Sequence, residues 1–226
     1  MGEMLRLKAS DGHELGAYRA EPEEKARGGV VVLQEIFGVN SHIRAVCDRL
    51  AAQGFIAIAP ALFDRFQRDF VSGYSAEEIA TAISLMKSLD WDVLLLDTRA
   101  AHEALRAEAN TVSVVGFCLG GSLAYLAATR FSDLGAAICY YGGMIVNHAD
   151  TKPLCPVMMH FGESDHSISM RDVESVRAKR LETEIHTYPA GHGFNCDERN
   201  SFNPEQAALA WSRTMALLDK VQPQRP

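Results

Sequence analysis

The sequence lacks any apolar run long enough to span a bilayer, and its first residues, Met1 to Arg6, contain no apolar signal-peptide core. It also lacks an excess of positive charge, because 29 acidic residues outweigh 22 basic ones and give a formal net charge of −7. Such a chain is not suited to nucleic acid or an anionic membrane as its main partner. We therefore expect a cytoplasmic protein with no nucleic-acid and no membrane partner.

Paired cysteines and cofactor motifs are absent too. The five cysteines are scattered and contain no Cys-x-x-Cys pair, so we expect free thiols rather than a disulfide framework or a zinc site. No P-loop and no dinucleotide-binding glycine pattern occurs, so we predict no cofactor and no metal. Seven histidines show no metal-ligand spacing and are expected to be surface or packing residues. They are His13, His42, His102, His148, His160, His166 and His186.

The chain does have the length and apolar content of a globular domain. It has 226 residues, of which 47% are hydrophobic and 23% are charged. Predicted strands alternate with predicted helices, and several strands are continuous apolar runs such as Val30 to Leu33. This pattern is typical of a mostly parallel sheet with helices on both faces. We predict one α/β domain over residues 1–226.

Turn and capping signals divide the chain into elements. The predicted strands cover residues 4–9, 15–20, 28–33, 55–59, 111–115, 136–140, 157–161 and 184–188. The predicted helices cover residues 40–53, 75–88, 92–107, 122–128 and 170–180, with a last helix that begins at Asn203-Pro204. An aromatic and basic loop is predicted over residues 62–74. The two longest helices are expected to bury Val93, Leu96, Ala100 and Ala104 in one case, and Ala208, Trp211, Met215 and Leu218 in the other.

The hexapeptide Gly116-Phe117-Cys118-Leu119-Gly120-Gly121 lies between a β-branched run and a helix-like stretch. It has the form of a nucleophile elbow, Gly-x-Ser-x-Gly, with Cys118 in place of the serine. The small residues would let a strained turn form, and the positive end of the following helix favours a thiolate. The alternative is a buried structural cysteine in a glycine-rich turn.

Two later segments complete a reactive set. Asp165 follows the predicted strand 157–161, and His192, between two glycines, follows the predicted strand 184–188. Nucleophile, acid and histidine thus occur in the chain order of the α/β-hydrolase fold, each after its own strand. A cysteine nucleophile needs a base for its proton, and the base needs a carboxylate to fix its tautomer. Asp165 alone would be interpreted as a turn residue.

With these residues the sequence resembles the dienelactone hydrolases (carboxymethylenebutenolidases), a family with the α/β-hydrolase fold. The resemblance covers nearly the whole chain. Its motifs are Gln34-Glu35-Ile36-Phe37-Gly38-Val39-Asn40, Gly116-Phe117-Cys118-Leu119-Gly120-Gly121, Tyr140-Tyr141-Gly142 and Ala190-Gly191-His192-Gly193-Phe194.

The resemblance implies a role for each catalytic residue. Cys118 would be the nucleophile, His192 the base and later the acid, and Asp165 the carboxylate that orients it. Glu35 would face the thiol and take its proton when substrate arrives. From the residues alone, Glu35 could equally pair with an arginine or a loop amide, because a buried carboxylate is costly without a partner.

The resemblance also implies an oxyanion hole made by the backbone amides of Ile36 and Leu119. The resemblance says less about the substrate. In the family, two arginines hold a carboxylate of the substrate, and neither has a counterpart here. One of the two positions is Cys196, and the helix that would supply the other, residues 76–85, contains no arginine. Possible replacements are Arg65, Arg68 and Arg199, each of which could instead be a solvated surface charge. Phe37 and Tyr141 could be pocket walls or plain core.

We therefore predict a hydrolase that opens a lactone or cleaves an activated carboxylic ester through a thioester intermediate. Its partner would be the small-molecule substrate, and the protein would be a monomer or a weak homo-oligomer. The alternative is a hydrolase-fold protein that uses Cys118 as a redox-sensing or ligand-binding thiol without turnover.

Overall fold

A computed structural model describes residues 2–222 of the chain. These residues form two compact units that meet in the sequence between Val112 and Ser113. Over the described residues, no helix combines the length and the apolarity that crossing a bilayer requires. The single domain expected over the whole chain stays a prediction.

The first unit, described from residue 2 to residue 112, contains four strands, three α-helices and a 3₁₀-helix. They are β1 (Glu3–Lys8), β2 (Glu14–Ala20), β3 (Gly28–Leu33), α1 (Ser41–Ala52), β4 (Phe55–Pro60), the 3₁₀-helix (Leu62–Arg65), α2 (Ala76–Met86) and α3 (Trp91–Arg106). The strands lie in the order β1-β2-β4-β3. Only the β3–β4 pair is parallel, with Val30 opposite Ala57. Every residue of β3 and β4 is buried, as their continuous apolar sequences predict.

The second unit begins at Ser113, the second residue of β5, and is described to residue 222. Its elements are β5 (Val112–Phe117), α4 (Leu119–Arg130), β6 (Ala137–Tyr140), α5 (Ile145–His148), β7 (Val157–Gly162), α6 (Met170–Lys179), β8 (Glu184–Tyr188) and α7 (Pro204–Lys220). The strands lie in the order β5-β6-β7-β8 and all pair in parallel. Parallel strands bring their carboxyl ends to one edge, so the loops after β5, β7 and β8 leave the sheet on the same side.

Side-chain caps begin the helices where the sequence predicts them. The Asn40 side chain accepts a hydrogen bond from the backbone of α1, and Ser75 and Glu78 form a reciprocal capping box on α2. Asn203 caps α7, with Pro204 at the first helical position. These polar residues satisfy amide groups that a helix leaves without an internal acceptor.

The predicted buried faces of α3 and α7 are wrong by about one position. The buried residues are Leu94, Leu95, Asp97, Thr98, Ala100, Ala101, His102 and Leu105 in α3, and Ala207, Ala210, Thr214, Leu217 and Leu218 in α7. Each face includes polar side chains, and a periodicity built on apolar residues alone does not count them. Ala100 and Leu218 are the predicted positions that are buried.

Two short helices were not expected from the sequence. The 3₁₀-helix Leu62–Arg65 lies in the segment predicted as a loop, and α5 occupies Ile145–His148 between β6 and β7. Both have only four residues, too few for a periodic apolar pattern to be visible.

Arg65 joins the 3₁₀-helix to α3 through a buried ion pair. Its Nε and Nη2 each lie 2.7 Å from a carboxylate oxygen of Asp97, whose side chain is fully buried, and its Nη1 lies 2.7 Å from Asp11. Burial raises the pKa of Asp97, although the hydrogen bonds and the charge of Arg65 act in the opposite direction. The guanidinium therefore has a structural role, and its expected contact with substrate stays a prediction.

Replacement of Arg65 by methionine should strongly destabilise the fold, because it leaves the Asp97 carboxylate buried without its partner. We expect a loss of about 3 to 5 kcal/mol in the free energy of unfolding at neutral pH. The loss should shrink as the pH falls through the raised pKa of Asp97, because a protonated carboxyl no longer needs the guanidinium. Urea unfolding at neutral and acidic pH measures both effects. The double variant Arg65→Met/Asp97→Leu should recover most of the stability, and an Arg65→Met protein as stable as the unaltered chain would contradict this account.

Candidate active site

Cys118 lies in a strained turn between β5 and α4. Its φ of 53° and ψ of −110° are unusual for a residue with a side chain. The turn is also tight, because a Cβ on Gly116 would lie 1.9 Å from the backbone oxygen of Gly120, and a Cβ on Gly121 would lie 2.3 Å from that of Tyr140. The steric purpose predicted for the glycines is confirmed at positions 116 and 121.

Backbone hydrogen bonds hold Cys118 in this conformation. Its N–H donates to the backbone oxygen of Tyr140 at 3.0 Å, and its own carbonyl accepts the N–H of Ser122 at 3.1 Å. The residue is half-buried, and Leu119 directly after it is the first residue of α4. The amides of a first helical turn have no acceptor within the helix, so this turn presents donors and a partial positive charge beside the sulfur.

Asp165 lies in the loop after β7, with its side chain fully buried. Its Oδ1 accepts the backbone N–H groups of Ser167 at 2.7 Å and Ile168 at 3.1 Å. Its Oδ2 lies 2.7 Å from Nδ1 of His192. Asp165 also closes a turn through its own N–H, which lies 3.3 Å from the backbone oxygen of Gly162. It is therefore both a turn residue and the partner of the histidine, two roles that the sequence presented as alternatives.

His192 lies in the loop after β8, and its Nδ1 is hydrogen-bonded to Asp165. Burial disfavours the charged imidazolium, but the hydrogen bond to Asp165 and the influence of the Cys118 thiol outweigh it and raise the pKa of His192 to about 10. Two of the residues that follow separate strands in the sequence, Asp165 and His192, are thus in contact in the second unit. A carboxylate that binds one ring nitrogen fixes the tautomer of the imidazole.

Two further side chains lie against the histidine loop. The ring of Tyr141, fully buried and with a φ of 38°, has its centroid 5.0 Å from that of His192. Arg199 lies over Gly193, where a Cβ would be 2.5 Å from the guanidinium Nη1. The glycine therefore lets the guanidinium approach the backbone next to His192.

The remaining predicted residues follow β3 in the first unit. Glu35, Ile36 and Phe37 are all buried. Gln34 fixes their backbone, because its side-chain amide donates to the Glu35 carbonyl at 3.2 Å and accepts the N–H of Leu62 at 3.2 Å. The backbone of this segment is therefore held by side-chain hydrogen bonds.

Sequence reasoning missed the groups that hold Asp165 and the contact of Tyr141 with His192. An aspartate two residues before Ser167 is a known pattern for a side chain that binds backbone amides ahead of it, and it could have suggested the first. No local pattern indicates the second, because the positive φ of Tyr141 is visible only in three dimensions.

Comparison with known proteins decides the family. The sequence model of the dienelactone hydrolase family matches residues 15–222. The chain belongs to the dienelactone hydrolase family. Both the family and the α/β-hydrolase fold predicted from the sequence are confirmed.

Similar proteins agree along nearly the full length. A Yersinia pestis relative, named provisionally as a carboxymethylenebutenolidase, is 37% identical over 91% of this chain and 84% of its own. Carboxymethylenebutenolidase 1 of Cupriavidus pinatubonensis is 31% identical over 95% of each chain. A crystal structure from Klebsiella pneumoniae, described provisionally as a dienelactone hydrolase, has a TM-score of 0.85 and 30% identity over 97% of this chain and 99% of that one. The chain is accordingly a hydrolase of the carboxymethylenebutenolidase family.

Replacement of Asp165 by asparagine should lower the pKa of His192, because it removes the strongest influence that stabilises the imidazolium. An NMR titration of the histidine side chains measures the shift. The matched control is Asp172→Asn, a change at a partly exposed position in the first turn of α6. An unchanged His192 titration in Asp165→Asn would contradict the described hydrogen bond.

The same raised pKa has a consequence for stability. The stabilisation from the charged histidine is fully present below its ordinary pKa of about 6.5. It should be lost as the pH rises through about 10. Asp165→Asn should flatten this loss.

Proposed function

We propose that this chain opens lactones or cleaves activated carboxylic esters through a thioester on Cys118. The observation that carries the proposal is the hydrogen bond of 2.7 Å between Nδ1 of His192 and Asp165, together with a Cys118 thiol that helps to raise the pKa of His192. An imidazole with a thiol on one side and a carboxylate on the other is the arrangement that activates a nucleophile for acyl transfer. The strained backbone of Cys118, at the start of a buried helix, supports the same role.

The reaction proceeds in two acyl transfers. Glu35 takes the Cys118 thiol proton, the resulting thiolate attacks the carbonyl carbon, and the carbon–oxygen bond of the lactone or ester breaks. The protonated imidazole of His192 donates its proton to the departing oxygen, which leaves an acyl thioester. Water then attacks the thioester while His192 takes a proton from it, the acid is released, and Glu35 returns its proton to the sulfur.

Two backbone amides are proposed to stabilise the oxyanion, those of Ile36 and Leu119. Leu119 begins α4, which supports its part, because the amides of a first turn lack acceptors within the helix. Ile36 is buried in a segment whose backbone is fixed by Gln34. Loss of one such donor typically costs about 3 kcal/mol in the transition state.

Glu35 is proposed to take the thiol proton when substrate binds, so that the resting sulfur is neutral and the working sulfur is a thiolate. Its burial supports a specific role, because an ionised carboxylate is rarely kept from water without a functional or ionic partner. Glu35→Gln keeps the shape of the side chain and removes the proton acceptor.

Substrates with good leaving groups, such as enol lactones and aryl esters, are proposed rather than alkyl esters or amides. Phe37 and Tyr141 are proposed to line the pocket, and the contact of Tyr141 with His192 supports its part. Arg199 is proposed to bind a polar or anionic part of the substrate, which its guanidinium beside Gly193 supports.

The test compares variants on an enol lactone and an aryl ester. Cys118→Ala and His192→Ala should each lower kcat/KM by roughly 10⁴-fold or more, because each removes a participant in bond formation. Glu35→Gln should lower it by roughly 10²-fold, the effect of losing a proton-transfer group. Cys155→Ala, at a half-buried cysteine before β7, is the matched control and should leave the rate unchanged.

Full turnover by Cys118→Ala would overturn the proposal. If none of the lactones and esters is turned over by the unaltered chain while Cys118 is oxidised by mild peroxide, the non-catalytic thiol would take its place.

A further inference from the structure

Buried hydrogen bonds join the ends of β6, β7 and β8 to α7 in the second unit. Nδ1 of His160 lies 2.7 Å from the Tyr188 hydroxyl, and Nε2 lies 3.2 Å from the Thr214 hydroxyl. The Thr214 hydroxyl in turn lies 2.7 Å from that of Tyr140. All four side chains are almost completely buried, and the triad does not include any of them. Such a series needs an explanation, because apolar residues would fill the same space without directional demands.

The donors of this network can be assigned from one end. Arg213 donates from Nη1 to the Tyr188 hydroxyl oxygen at 3.0 Å, and an arginine can only donate. The Tyr188 hydroxyl is then available to donate to Nδ1 of His160. Nε2 of a neutral His160 carries the proton and donates to Thr214, whose hydroxyl donates to Tyr140. Burial, with the nearby charges of His186 and Arg213, holds the pKa of His160 well below its usual range, which agrees with a neutral ring.

The same strand residues hold the triad's loops through their backbone oxygens. The oxygen of Tyr140 accepts the Cys118 N–H at 3.0 Å, and that of His160 accepts the Tyr141 N–H at 2.7 Å. The Tyr141 ring is the one that lies against His192.

Tyr188, the network residue on β8, binds two loops through one backbone oxygen. The backbone oxygen of Tyr188 accepts the N–H of Glu163 at 2.8 Å and that of Ala190 at 2.7 Å. Glu163 belongs to the loop of Asp165, and Ala190 to the loop of His192. Each network residue on β6, β7 and β8 therefore has two contacts. Its side chain belongs to the network, and its backbone oxygen binds a segment that carries a reacting group or lies next to one.

We propose that His160 and Thr214 are positioning residues for the triad. They fix the relative positions of β6, whose Tyr140 oxygen binds the Cys118 N–H, and of β7 and β8, which are followed by the loops of Asp165 and His192. This inference rests on the proposed function of those three residues. Directional bonds allow one arrangement of the strand ends, whereas apolar contacts allow small shifts at little cost. Small shifts matter, because a misplacement of about 1 Å, even from a mutation far from the chemistry, can lower a rate about 100-fold.

The experiment removes one hydroxyl and then restores it. Thr214→Val replaces the hydroxyl by a methyl group of similar size, and Thr214→Ser retains the hydroxyl. Leu218→Val is the matched control, since Leu218 is equally buried on α7 and lies outside the network. We expect Thr214→Val to lower kcat about tenfold with KM unchanged, and Thr214→Ser and Leu218→Val to keep the original kcat.

A second readout needs no substrate. The proton between Nδ1 of His192 and Asp165 should give a far-downfield proton NMR signal, and this signal should shift in Thr214→Val but not in Thr214→Ser or Leu218→Val. If Thr214→Val does not fold, Tyr188→Phe removes the hydroxyl at the other end of the network, with the same expected kcat loss and signal shift. A merely stabilising network would lower the melting temperature and leave both readouts unchanged in the folded protein.

The outcomes separate this inference from the proposed function. An unchanged kcat and an unmoved signal in folded Thr214→Val, or an equal loss in Leu218→Val, would overturn the positioning role. If Cys118→Ala kept full turnover, the proposed function would fail on its own, and the NMR signal would still decide whether the network positions His192 against Asp165.

Discussion

The hydrogen bond between His192 and Asp165 is the contact on which the site depends. Two backbone amides fix one oxygen of Asp165, so the other oxygen is left in a defined direction for the imidazole, 2.7 Å away. The imidazole is then held in one orientation, and Asp165 and the Cys118 thiol both act to raise its pKa. A free carboxylate or a rotated ring would remove the orientation that the proposed acyl transfer needs.

The sequence predicts Cys118, Asp165 and His192 as a set because each follows a recognisable strand and parallel strands share one edge. It also predicts the strands and the longer helices, because apolar runs and helix caps are local signals. It does not predict the buried faces of α3 and α7, where Asp97 and Thr214 replace expected apolar residues. A pattern of apolar residues assigns every polar residue to the exposed face, because the buried partner of such a residue is not visible in the sequence.

Those partners are distant in the chain. Arg65 is 32 residues from Asp97, and His160 is 54 residues from Thr214. No periodicity or spacing links such pairs, because they meet only when strands and helices pack. The two pairs differ in location and charge: the ion pair lies in the first unit, whereas the network of His160 joins β6, β7 and β8 to α7 in the second unit. The sequence alone therefore does not predict the buried polar contacts of this fold.

Covalent capture of the intermediate tests the central claim most directly. The protein is mixed with an aryl ester, quenched in acid during turnover, digested and examined by mass spectrometry. An acyl group on the peptide that contains Cys118, released by neutral hydroxylamine as a thioester would be, is the predicted result. Turnover with Cys118 unmodified, or with the acyl group on another residue, would contradict the account.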